Sequence, residues 1–154
     1  MQLTQLKDKP NLSADVKLSA IYAQFKALIS ELEKKELTPA IVANINSSIE
    51  LINASPLAGK ELIRLIKQQQ TLIIKQVEKE HKIAPKNHYR NLWMLLGFTA
   101  FGLPIGMIFG LSMRNIGLMG VGLPIGMAIG AAVGSAMDKK ALTEGRQLDI
   151  ELKN

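Results

Sequence analysis

A metal or proton-transfer site in this chain would first draw on two histidines, His81 and His88, which stand seven positions apart across Pro85. A metal needs more donors than that, and no pair of carboxylates lies at ligand spacing around them. Both histidines are therefore expected to be polar residues at an interface. The acids Glu31, Glu33, Glu36, Glu78 and Glu80 are interleaved with lysines, the pattern of a solvated helix surface and not of a paired general acid and base. With no cysteine there is no thiol nucleophile, no thiolate ligand, no disulfide and no lipidated amino-terminal cysteine. None of the glycines precedes a Lys-Ser or Lys-Thr pair, so a phosphate-cradling loop is not formed. The expectation is a protein with no enzymatic activity and no cofactor.

The glycines are periodic instead. Gly102, Gly106 and Gly110 fall every fourth residue, as do Gly122, Gly126, Gly130 and Gly134. The six residues GLPIGM at 102–107 recur at 122–127, and Gly97 and Gly110 align with Gly117 and Gly130 at the same offset. Four residues of α-helix turn about 400°, so each series forms a slightly slanted stripe along one side. In lipid, apolar burial between helices gains little, and the close contact that a hydrogen side chain permits becomes a main source of association. In water each such glycine would cost a helix about 1 kcal/mol. The stripes either join two helices into one hairpin or, because seven glycines exceed what one hairpin needs, also assemble several subunits. Ala128, Ala131, Ala132, Ser135 and Ala136 widen the small-residue surface of the second series. Pro104 and Pro124 cannot donate to the carbonyls of Ala100 and Gly120, so each is expected to kink its helix.

The segments that position these stripes are two uncharged runs, 92–113 and 115–137, of 22 and 23 residues. A bilayer core needs about 20 helical residues. Arg114, the one charge between 91 and 137, marks the turn with Asn115. Lys75, Lys79, Lys82, Lys86 and Arg90 precede the first run, and Lys139, Lys140 and Arg146 follow the second. The positive-inside bias then places both ends of the chain in the cytoplasm and the turn across the membrane. Trp93, with Tyr89, sits where an interfacial aromatic anchor belongs. The formal net charge of +6 is spread out, with fourteen Lys/Arg and nine Asp/Glu in residues 1–90 and four of each sign in 138–154. No single-sign patch points to a nucleic-acid partner.

Ahead of the runs, residues 1–85 read as a three-helix unit. Its opening residues 1–13 are polar and lack the apolar stretch of a secretory signal. Ser13 is placed to cap a helix over about 13–36, with Ile21, Phe25, Leu28 and Leu32 on one face. Thr38-Pro39 opens a second helix over 38–54, striped by Val42, Ile45, Ile49 and Ile52. Ser55-Pro56 repeats that signal for a third over 55–82, with Leu62, Leu65, Ile66, Leu72, Ile73 and Val77 inward. Gln69 falls among them, either specifying register or an oligomer or lying at a solvated edge. Residues 86–91 read as a juxtamembrane connector and 138–154 as a charged cytoplasmic tail.

The stretch 92–148, above all GLPIGMIFG and GLPIGMAIGAAVGSAMDKKA, resembles bacterial glycine-zipper transmembrane hairpin proteins. The resemblance covers little over a third of the chain; it implies a self-associating membrane hairpin and supplies no catalytic residue or substrate. The expected fold class is an all-α membrane protein of the inner (cytoplasmic) membrane, a three-helix cytoplasmic unit followed by an antiparallel two-helix transmembrane hairpin. The expected role is a membrane-anchored, self-associating scaffold or assembly subunit. It would be a homo-oligomer in contact with membrane lipid, engaging a cytoplasmic protein partner through residues 13–82. The rival expectation is a pore or membrane-permeabilising effector built from oligomerised hairpins and lined by Thr99, Ser112 and Ser135. A third is attachment of the basic run 75–90 to anionic lipid.

Overall fold

The computed structural model describes residues 3–9, 12 and 15–152. The chain is mostly helical and divides into two compact units: the described residues up to Pro85 with those from Leu148 onward, and residues 86–147.

The first unit is built on α1 (Val16–Glu33), α2 (Pro39–Ala54) and α3 (Gly59–His81). Ser13 lies outside the described residues, and the side chain that caps α1 is Asp15, whose carboxylate accepts from the amides of Lys17 (2.9 Å) and Leu18 (3.2 Å). Thr38 and Pro39 open α2 as the sequence suggests, but the threonine side chain makes no cap bond. Its amide donates to His81 Nε2 and its hydroxyl to Glu80, each at 3.3 Å. His81 therefore ties the end of α3 to the start of α2. Helix α3 opens four residues later than Ser55 because Ser55 closes α2, its hydroxyl accepting from the Leu57 amide in a turn (3.2 Å). Gly59, at φ +53°, then redirects the chain through a conformation that favours glycine.

Positions spaced by three, four and seven bring Leu18, Phe25 and Leu32 of α1, Ile45, Ile49 and Ile52 of α2, and Leu62, Ile66, Ile73 and Val77 of α3 into one core. Burying each such side chain is worth roughly 1.5–3 kcal/mol. Leu72 is 45% exposed and not inward as its type suggests. It precedes Ile73 by one residue, about 100° around the helix. Gln69 is buried beside Gln70, whose side-chain oxygen accepts from Gln24 (3.1 Å) and links α3 to α1.

Both ends of the chain serve this unit. Residues 3–9 run extended against α2, where Asn46 accepts from the Thr4 amide (2.7 Å) and Asn53 from the Lys7 amide (2.9 Å). Asn46 and Asn53 are seven apart, two helical turns, and so offer their amides to the strap from one face. The Tyr22 hydroxyl donates to the Lys7 carbonyl. At the other end Leu148 is fully buried, Ile150 and Leu152 pack against the core, and the Asp149 amide donates to Glu31 (3.0 Å). The return is marked by a short strand, β2 (Gln147–Leu148), paired with β1 (Ala84–Pro85). Within the segment read as a charged tail, Leu148, Ile150 and Leu152 thus belong to the core of the first unit, while Asp149 and Glu151 stay exposed.

In the second unit α4 (His88–Gly97) begins inside the segment read as a connector. It passes through one π-helical turn, Phe98–Gly102, and continues as α5 (Leu103–Ser112). The turn holds Arg114 at φ +50°, after which Ile116–Val121 is a 3-10 helix capped by Asn115. Helix α6 (Gly122–Thr143) extends six residues beyond 137. It ends where Gly145, at φ +68°, lets the Arg146 amide reach the Ala141 carbonyl (2.8 Å) and its own amide reach Leu142 (3.1 Å). Two continuous helices result, His88–Ser112 and Ile116–Thr143, each long and apolar enough to cross a membrane.

Candidate functional site

Within residues 91–137, all of them described, the buried positions are Gly97, Gly102, Gly106, Gly110, Gly122, Gly126, Gly130 and Gly134. Every one is a glycine. The large apolar side chains face away, with Leu111 79% and Ile116 82% exposed. This inverts the arrangement of the first unit, where bulky side chains fill the interior.

The interior is backbone against backbone, the two helices running antiparallel. A methyl added to Gly130 would overlap the Trp93 carbonyl, and one on Gly134 the Tyr89 carbonyl. At Gly126 it would meet the Gly102 amide and the Gly97 carbonyl, and at Gly122 the Gly106 amide and Gly102 carbonyl. Gly106 faces the Met119 carbonyl; Gly102 is less confined, with Leu123 Cα at 3.1 Å. At Gly110 the obstacle is the movable Met119 side chain. All seven glycines singled out in the sequence lie in this one intrachain contact, and Gly97 joins them. The surplus that would have argued for further subunits is therefore used up inside the pair. The 20-residue repeat survives in packing only in part: Gly102, Gly106 and Gly110 and their counterparts Gly122, Gly126 and Gly130 all lie in the contact, whereas Gly117, the counterpart of Gly97, lies in the 3-10 helix near the Asn115 side chain.

Gly97 stands five residues before Gly102, out of step with the spacing of four. Five residues of straight α-helix turn about 500° and would carry Gly97 about 140° off the stripe. The π-turn over Phe98–Gly102 takes in the extra residue and returns Gly97 to the contact face. Pro104 supplies a local reason for that turn. It offers no N–H to the Ala100 carbonyl, its ring crowds that carbonyl, and a widened turn just ahead relieves both. Pro124 stands third in α6, directly after the 3-10 segment Ile116–Val121 of the continuous helix Ile116–Thr143, as Pro104 stands second in α5 directly after the π-turn. Each GLPIG proline thus follows a change of helical winding, widened before Pro104 and tightened before Pro124.

The every-fourth series of α6 has one more member. Asp138, four residues past Gly134, is 8% exposed, and its carboxylate accepts from the amides of Tyr89 (3.1 Å) and Arg90 (2.9 Å). These are orphan donors of the first turn of α4, and Asn87, which precedes it at φ +58°, gives no side-chain cap. The cap comes from the opposite helix, a negative charge at the positive end of α4. The signal for it was present: a lone acid in phase with the stripe, at the end where an antiparallel partner must begin. Met119 and Asp138 are contact residues that spacing did not single out, and Gly97 is marked by the 20-residue repeat but not by the every-fourth series.

The residues expected to set orientation lie at the edges. Lys82, Lys86, Arg90, Arg114, Lys139 and Lys140 have exposed side chains, and Trp93 is half-buried with its carbonyl beneath Gly130. The ring of His88 stands edge-on to Tyr89, centroids 5.3 Å apart. Thr99 turns its hydroxyl onto the carbonyls of Leu95 and Leu96 (3.3 and 3.1 Å). Among the described residues no three histidines or acids are grouped to hold a metal. No family model, curated protein or solved structure matches the chain.

Proposed function

We propose that this protein is a membrane-anchored helical scaffold. Its second unit crosses the bilayer as a glycine-packed hairpin, its first unit lies on the cytoplasmic side and engages a protein partner through α1–α3, and copies associate within the membrane. The observation that carries the reading is the inverted burial of residues 91–137, with hydrogen side chains inside and leucine, isoleucine, methionine and phenylalanine outside. In water that surface would be an apolar patch far larger than a monomer tolerates. In lipid it is solvated, and close backbone contact is what holds such helices together. The chain leaves the first unit after Pro85 and rejoins its core at Leu148, as an even number of crossings requires. Lys82, Lys86, Arg90, Lys139 and Lys140 at the two ends, against Arg114 at the turn, favour the ends as the cytoplasmic side. Support for association comes from Ala128, Ala132, Ser135 and Ala136, small and exposed on α6 away from the glycine contact.

Tags on the two termini, probed with protease in sealed vesicles, and a separate alkaline extraction test the anchor. Both tags are expected in one compartment and the protein in the pellet; extraction into the supernatant, or tags on opposite sides, would overturn it. Crosslinking in a membrane mimetic tests association. Dimers or larger species that vanish in Ala132→Leu are expected, and monomers alone at every concentration would refute that part.

A further inference from the structure

We infer that the outward face of α3 docks on an anionic bilayer surface, an inference that rests on the membrane reading above. Charge counted along the chain shows no patch, but the fold sorts it. With Leu62, Ile66, Ile73 and Val77 turned into the core, Lys60, Arg64, Lys67, Lys75 and Lys82 come together on the opposite side within about 80° of arc. All five are exposed, and the stripe runs about 33 Å along the helix. Lys60, Arg64, Lys67, Lys75 and Lys79 make no ion pair with an acid among the described residues. Glu78 is the single acid on that arc. Leu72, 45% exposed, sits at the flank of the stripe beside Lys75 and Lys79, where an apolar side chain among lysines can enter the headgroup layer.

Anionic headgroups fit better than nucleic acid or an acidic protein because of the tether. Six residues, 82–87, separate α3 from α4, and an extended chain of that length spans at most about 20 Å. Once α4 is inserted, the nearest extended negative surface is the bilayer itself, which attracts basic segments held close to it.

The test uses the full chain reconstituted in vesicles of phosphatidylcholine alone or with phosphatidylglycerol, insertion being scored separately by alkaline extraction. Lysine acetylation, read by mass spectrometry, is expected to fall severalfold at Lys60, Lys67 and Lys75 in the anionic vesicles, to recover at raised salt, and to stay constant at Lys34, just after α1. In the variant carrying Lys60→Glu, Lys67→Glu and Lys75→Glu, the matching protection of Lys79 is expected to disappear while insertion is retained. Inserted protein whose labelling ignores lipid charge overturns this inference alone. Equal protection by a short DNA duplex added to neutral vesicles overturns the assignment to lipid. Failure to insert overturns the membrane reading and this inference with it.

Discussion

Asp138 and Arg90 lie 48 residues apart in the chain, and the carboxylate Oδ2 of the first accepts a 2.9 Å hydrogen bond from the backbone amide of the second. With the companion bond to Tyr89, one buried side chain on α6 closes the open amide end of α4 and sets where the two antiparallel helices stop sliding. Dispersion between glycine backbones is weakly directional along the helix axis; a charge-assisted cap is not.

Replacing Asp138 by alanine strands one buried and one part-buried donor and is expected to destabilise the helix pair by about 1–3 kcal/mol. Asp138→Asn retains an oxygen acceptor and should recover part of that loss. Amide exchange at Tyr89 and Arg90 in detergent micelles reads the effect directly. Unchanged exchange in Asp138→Ala would mean that the cap contributes nothing.

Glycine substitutions should divide by what a methyl meets. Gly126→Ala and Gly130→Ala drive a carbon into fixed backbone and are expected to cost about 1–3 kcal/mol of overpacking each, with Gly130→Leu more severe. Gly120→Ala enters open space and should be neutral or slightly stabilising. Unfolding of the four variants in the same detergent orders them, and a Gly120→Ala variant as damaged as Gly130→Ala would contradict this packing.

The π-turn makes a prediction about length. Deleting Ala100 shortens the Gly97-to-Gly102 interval to the four residues that a plain α-helix keeps on one face. Deleting Ile108 instead breaks the interval between Gly106 and Gly110. The first deletion is expected to preserve the helix pair and the second to disrupt it, as measured by crosslinking between cysteines placed at Leu96 and Ile129. Equal loss in both would remove the phasing role assigned to Phe98–Gly102.

The two end segments of the first unit should respond to opposite extremes of pH. Burial, and then the charge of Asp8, hold the Tyr22 phenol above its ordinary value near 10. Its contribution is complete below the unfolded value and is lost as pH rises through the folded one, so strongly alkaline solution should release residues 3–9. Glu31 is held below the usual carboxylate range, first by its bond to Lys34 and then by the Asp149 amide. Its contribution is present above the unfolded value and is lost as pH falls through the folded one, so acid should loosen 148–152. Limited proteolysis across the pH range reports both ends, and Tyr22→Phe should abolish the alkaline step; a step that persists in that variant would assign it elsewhere.

Residue type and spacing alone determined the two apolar runs, the turn at Arg114, the glycine faces and the striped front helices, because each follows from local periodicity and from counting apolar residues against a helical repeat. Spacing cannot say which surface a stripe meets. That seven glycines serve one intrachain contact and that Gly97 is brought into it by a π-turn both depend on the partner helix and its direction. Asp138 reads as a tail residue until antiparallel packing lays it over the first turn of α4, and the lysines of α3 read as scattered until the core turns them to one side. Such features join residues far apart in the chain, and only the closing of tertiary contacts decides which distant groups share a face.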